Sequence, residues 1–158
     1  MINAYLTALW GRLERLSTLA DDDQEARRRK VTLVVMTGIC FFASIIWGTL
    51  YLAILGPTLT VAITYGFTVV VGLALAAFFA SKRFDLLLYP FFGMILWNPI
   101  AMQWSLGGFA ASGVVMTWSV LAPICALMFQ SVRQALCWFA AFLVLLAVSL
   151  YFDDQVSA

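Results

Sequence analysis

The chain has 158 residues, of which 64% are hydrophobic and 11% charged, against about 25% charged in ordinary soluble domains. That composition excludes a soluble globular fold. The formal charge of +1, from nine basic and eight acidic side chains, argues neither for nucleic acid nor for an acidic substrate.

Two absences narrow the chemistry further. Histidine is missing, which removes the commonest haem and transition-metal ligand and the usual physiological-pH switch. Cys40, Cys125 and Cys137 lie inside apolar runs with no CxxC spacing, so they read as small buried hydrophobes. No metal and no cofactor is expected.

Residues 1–20, MINAYLTALWGRLERLSTLA, place Ile2, Leu6, Leu9, Leu13 and Leu16 on one helical stripe, with Arg12, Glu14 and Arg15 off it. This predicts a cytoplasmic amphipathic helix, either lying on the membrane surface or contacting a partner helix, as in a dimer. Those early charges leave no cleavable signal peptide, so the amino terminus is expected to stay attached. In DDDQEARRRK, residues 21–30, acids lead and bases follow, and Asp23/Arg27 and Glu25/Arg29 stand at helical i, i+4 spacing. The first span is expected to start near Asp21 as one continuous helix.

Segments 31–55, 58–80, 86–103, 110–130 and 135–152 are each near the roughly 20 apolar residues that cross a bilayer. The first closes on Gly56 and Pro57, a helix stop that fits a tight hairpin. The second ends at Ser81, Lys82 and Arg83; the third carries Pro90 and Pro99; the last stops at Asp153 and Asp154. Arg12, Arg15, Arg27, Arg28, Arg29 and Lys30 precede span one, Lys82 and Arg83 follow span two, and Arg133 follows span four. The basic residues thus occupy alternate loops at the membrane border, which predicts a cytoplasmic amino terminus and an outer-side tail at 153–158. The expected fold is an all-α, polytopic, five-span helical bundle of the inner membrane over 21–152.

The fourth span lies within QWSLGGFAASGVVMTWSVLAPICALMFQ, residues 103–130, where glycines and a proline sit in an apolar run. In lipid, helices associate through small residues, so Gly107/Ala111, Gly108/Ser112 and Gly113/Thr117 predict a close helix-packing face, within the chain or between two protomers. Pro123 predicts a kink that frees a carbonyl near Ser119. Trp47, Tyr51, Tyr65, Trp97, Asn98, Gln103 and Trp118 fall at comparable depth in the outer half. They read either as a ligand-binding group or as an aromatic belt with amides bonded between helices. Asn98 is the more telling, because an amide in lipid must find partners and Pro99 follows it.

LGGFAASGVVMTWSVLAP at 106–123, DDDQEARRRK, WGTLY at 47–51 and the Gly-Pro hairpin together resemble the amino-terminal membrane region of bacterial class III adenylate/guanylate cyclases. The resemblance covers most of 20–152 and is most specific in the GGF-x-x-SG-x-x-x-x-W-x-x-x-AP spacing. It implies six spans ahead of a cytoplasmic catalytic domain that dimerises and cyclises ATP or GTP with two metal ions. Here five spans are read and six residues follow Phe152, so the chain reads as a six-helix domain lacking its last helix. After Glu25 the acids are Asp85, Asp153 and Asp154, placed on opposite sides, so the chain itself is expected not to be an enzyme.

The expected role is a sensory or regulatory membrane module of cyclic nucleotide signalling. Its expected partners are the lipid bilayer, a second copy in a homodimer and a cytoplasmic cyclase domain. A transporter or channel component is the alternative, although Lys82, Arg83, Asp85 and Arg133, the charges between Val31 and Phe152, all fall in loops. A ligand-free scaffold is the third reading.

Overall fold

The computed structural model describes residues 2–156, with side chains over 10–153, and no strand occurs among the described residues. In chain order come α1 (Ile2–Ser17), α2 (Gln24–Leu55), α3 (Leu59–Ser81), α4 (Asp85–Ser105), the single turn α5 (Phe109–Ser112), a 3-10 helix (Val115–Val120), α6 (Leu121–Phe129) and α7 (Val132–Val156). Four of these, α2, α3, α4 and α7, are long and apolar enough to cross a membrane. At 1.5 Å per residue the 32 residues of α2 span about 48 Å, well beyond a hydrocarbon core of about 30 Å.

The polar start of α2 explains its excess length. Asp23 caps the helix, its side chain accepting the Ala26 N–H at 2.7 Å. Because that carboxylate is engaged, the expected Asp23/Arg27 pair does not form. Arg27 donates instead to the carbonyls of Asp22 and Ala20, at 3.0 and 3.1 Å. Glu25 and Arg29 do pair, at 2.6 Å. The α1 helix folds back on this end, with Leu13 against the core and Leu16 exposed; the side chains of Ile2, Leu6 and Leu9 lie outside the described residues. Lys82, in left-handed conformation at the end of α3, donates its Nζ to the Leu16 carbonyl and ties α1 down.

Helices α2 and α3 form an antiparallel hairpin across Gly56 and Pro57 and pack closely at two glycines. A Cβ at Gly48 would stand 3.2 Å from the Tyr65 ring, and one at Gly72 would stand 3.0 Å from the Phe41 ring. Between them the Ser44 and Thr68 hydroxyls share a 2.7 Å hydrogen bond. Ser44/Gly48 and Thr68/Gly72 are small residues four apart on facing helices, the spacing that lets backbones approach in lipid. Thr60 and Ser105 join α3 to α4 at 2.9 Å.

Residues 106–130 depart from the expected span. Gly107 (φ 93) ends α4 by a Schellman motif, in which the Gly108 N–H bonds the Gln103 carbonyl at 3.0 Å and the Gly107 N–H bonds that of Trp104 at 3.4 Å. Six residues on, Gly113 (φ 65) ends α5 the same way, with Val114 N–H on Phe109 and Gly113 N–H on Ala110. The expectation that Gly107, Gly108 and Gly113 form a packing stripe with Ala111, Ser112 and Thr117 is therefore corrected. These glycines occupy left-handed turn positions, so no continuous helix aligns the pairs on one face. Ala111 is exposed, and the Ser112 hydroxyl bonds the Phe109 carbonyl of its own turn. Pro123 falls in the first turn of α6, where a missing N–H is tolerated, rather than in mid-helix.

The segment 115–129 then runs back along α4, roughly 25 Å long from six 3-10 and nine α residues. Phe129 at its end lies 6.2 Å from Phe84 and 6.1 Å from Phe92. Phe92 in turn meets Trp138 of α7 edge-on at 5.9 Å. Around these rings the core closes with Leu33, Val71, Phe78, Leu87, Leu88 and Phe91. Phe84 also borders the groove lined by Asp23, Glu25, Arg29 and Lys30. The starts of α2, α4 and α7 thus share one end of the bundle, and Arg27, Arg28, Arg29, Lys30, Lys82, Arg83 and Arg133 gather there.

Candidate functional site

The far half of the bundle encloses a pocket of about 400 Å³ between α2, α3, α4 and the 3-10 helix. Its α2 wall is Cys40, Ala43, Ser44, Trp47 and Tyr51, a run spaced as one helical face. Thr64 and Phe67 come from α3, Asn98, Pro99 and Met102 from α4, and Val115 and Trp118 from the 3-10 helix. No charged side chain lines it.

Pro99 lines the pocket from inside α4, where it has no N–H to give the Ile95 carbonyl. The neighbouring Leu96 carbonyl is taken by the Ser119 hydroxyl at 2.8 Å, a buried bond that holds the 3-10 helix against the disturbed turn. Asn98 is left poorly matched. Its Nδ2 has the Met102 sulfur at 3.5 Å, a weak acceptor, and its Oδ1 is buried without a partner among the described residues.

Of the seven residues singled out from sequence, the structure brings Trp47, Tyr51, Asn98 and Trp118 into this one pocket. The rings of Trp47 and Tyr51 lie 6.1 Å apart along α2, while Trp47 and Trp118 are 57% and 63% exposed and form an outward-facing rim. Tyr65 stands beside the pocket wall, over Gly48, with its hydroxyl 3.3 Å from Thr49. Trp97 points elsewhere and packs edge-on against Trp104 at 5.9 Å.

Gln103 belongs to a different, fully buried cluster. Its Nε2 and the Trp104 Nε1 both donate to Ser149 Oγ, at 2.8 and 3.0 Å, fixing α7 to the end of α4. Four residues further along, Asp153 accepts the Phe109 backbone N–H at 2.8 Å. The sequence reading missed Ser149 and Asp153, since a lone serine in an apolar helix and an acid in a tail carry no spacing signal. Cys40, Ser44, Thr64, Phe67 and Met102 were also missed, although tracing the helical face of Trp47 back toward Val31 finds the first two.

At the opposite end, Lys30 and Asp22 form an ion pair at 2.8 Å with side chains only 9% and 13% exposed. Burial by itself raises the Asp22 carboxyl. Hydrogen bonds from Lys30 and the Leu19 N–H, with the charges of Lys30 and Arg27, outweigh it and hold the group below its ordinary value. This pair clasps the link between α1 and α2.

Compared with protein-family models, curated proteins and solved structures, the chain matches none.

Proposed function

We propose that this chain is a sensory or regulatory membrane module, in which occupancy of the pocket alters the α1–α2 junction and thereby a partner domain on the same side. One observation carries the reading: the pocket wall at Trp47 and Tyr51 and the Lys30 clasp belong to the same uninterrupted helix, α2. A continuous helix transmits a shift or rotation along its length, because its backbone bonds leave no soft joint between the two ends.

In this proposal the bundle crosses the inner membrane five times, with 115–129 as the short fourth crossing and the amino terminus cytoplasmic. The gathering of the basic residues at the α1 end supports that orientation. The cytoplasmic partner is a class III nucleotide cyclase domain and the working unit a homodimer, readings supported by the sequence resemblance over most of 20–152 alone.

The test uses the chain in lipid nanodiscs with Cys40, Cys125 and Cys137 replaced. Spin labels at Arg12→Cys on α1 and Arg83→Cys beyond α3 report the distance across the junction. Removing the pocket wall with Trp47→Ala or Tyr51→Ala should shift that distance distribution. An unchanged distribution in both variants refutes the coupling. Labelling of a cysteine added after Ala158 should come from the outer face, and labelling from the cytoplasm refutes the proposed topology. The gene downstream of codon 158 tests the partner: a further apolar span followed by a cyclase domain is expected.

A further inference from the structure

We infer that the pocket takes a neutral long-chain molecule carrying a hydroxyl, with that hydroxyl on the Asn98 amide and the chain leaving between Trp47 and Trp118. The inference rests on the reading of this pocket as a binding site and adds the class of ligand.

The lining excludes a charged head. With no Asp, Glu, Lys or Arg side chain to pair with, an ionised carboxylate or ammonium group would be stripped of water without compensation. Among the buried side-chain oxygens and nitrogens of the lining, Asn98 Oδ1 alone lacks a partner among the described residues, and it selects the head. Ser44 is engaged with Thr68 and with the Phe41 carbonyl, and Thr64 donates to the Thr60 carbonyl. Asn98 has only the Met102 thioether. Exchanging the amide oxygen and nitrogen does not mend this, since one strong end still faces sulfur and the other faces nothing. The terminal amide torsion is broad, so the group turns toward the pocket at small cost. A hydroxyl both donates and accepts, and therefore matches the amide in either orientation.

The rest of the pocket describes the tail. At about 400 Å³ the volume is in the range of small-molecule sites, and the walls are thioether, aromatic and aliphatic. The two half-exposed tryptophans at the rim open outward from the bundle rather than closing over the site. A chain seated on Asn98 passes between them into the surrounding apolar phase, so its length is not limited by the cavity.

The experiment uses the full chain in nanodiscs and a diazirine-bearing hexadecanol as probe, with labelled peptides mapped by mass spectrometry. Labels are expected on the peptides holding Trp47, Met102 and Trp118, at levels above those on the lipid-exposed α7 residues Leu143 and Val144. Excess hexadecanol should compete, while hexadecyl methyl ether, which cannot donate, should compete about tenfold less well, the worth of one hydrogen bond. Asn98→Leu, close in volume, should lower labelling by a similar factor, and Trp97→Phe on the other face should leave it unchanged. Should Asn98→Leu fail to fold, the ether comparison on the unaltered chain decides alone.

Equal competition by the ether overturns the hydroxyl assignment while leaving the pocket a binding site. Stronger competition by palmitate than by hexadecanol overturns the neutral head. Labelling no greater than at Leu143 and Val144 overturns this inference and the binding-site reading together.

Discussion

Gly48 of α2 lies under the ring of Tyr65 of α3, so close that a single added carbon would meet the ring at 3.2 Å. Gly66, the next residue of α3 after Tyr65, has nothing within 4 Å of the same added carbon. Gly48→Ile is therefore expected to destabilise the bundle by about 1–3 kcal/mol through overpacking, whereas Gly66→Ala is neutral or slightly stabilising. Thermal unfolding in detergent followed by circular dichroism compares the two. Equal effects would show that the α2–α3 approach does not limit packing.

The glycines at 107–113 respond to a different physical rule. Gly108 has φ 96 and ψ −170, a region essentially closed to residues with a Cβ, and Gly113 has φ 65. Gly108→Ala should cost roughly 1–3 kcal/mol. Ser112→Ala, by contrast, loses only a bond within its own turn and should cost under about 1 kcal/mol. A packing stripe accepts alanine at both positions, since the side chain stays small, so a loss at Gly108 well above that at Ser112 is the measurement that decides.

Ser149 accepts two buried donors at once, which makes it a sensitive position in α7. Ser149→Ala leaves the Gln103 and Trp104 N–H groups unpaired and is expected to cost about 1–2 kcal/mol. Ser149→Thr keeps the oxygen and should recover most of it. Unfolding in graded SDS measures both; an alanine variant as stable as the parent would remove the assignment of this cluster as a latch.

Acid should open the α1–α2 junction. Asp22 is held below its ordinary value in the fold, so its contribution is present above the unfolded carboxyl value of about 3.9 and is lost as pH falls through its lower folded value. A spin label at Arg12→Cys is expected to keep constant mobility from neutral pH down to about 4 and to gain mobility below. Lys30→Gln removes the main partner and should move that rise to higher pH. Mobility rising in both proteins at one pH would exclude the pair as the clasp.

The long helices were legible because hydropathy and helix-stop residues act locally: Gly56 with Pro57, and the capping Asp23, mark ends by their own chemistry. The break at 106–114 was legible in principle, since two glycines six apart, each following a helical run, are stop signals as readily as packing signals. Choosing between the two needs the tertiary partners, because only Phe109 bonded to Asp153 and Ser119 bonded to Leu96 make the interrupted backbone affordable in an apolar setting. The pocket was half legible for the same reason. Aromatic and amide residues show in sequence, but the choice of Asn98 over Gln103 depends on which of them lines the pocket, since each keeps a buried amide oxygen without a partner among the described residues.

The broken stretch also has a bearing on how the protein is made. The left-handed turns at 106–114 carry backbone groups that lipid cannot satisfy, and the helical part that follows, 115–129, has a reach of roughly 25 Å, short of the hydrocarbon thickness. Released alone from the insertion machinery, 106–129 has no stable resting place. Beyond the bonds within its own turns, it reaches the Leu96 carbonyl on α4, already emerged, through the Ser119 hydroxyl, and Asp153 on α7, still to come, through the Phe109 N–H. Under the proposed five-span topology, residues 85–156 are expected to enter the membrane as one cooperative batch, with the pace of synthesis through α7 setting when the second half of the protein becomes committed to its shape.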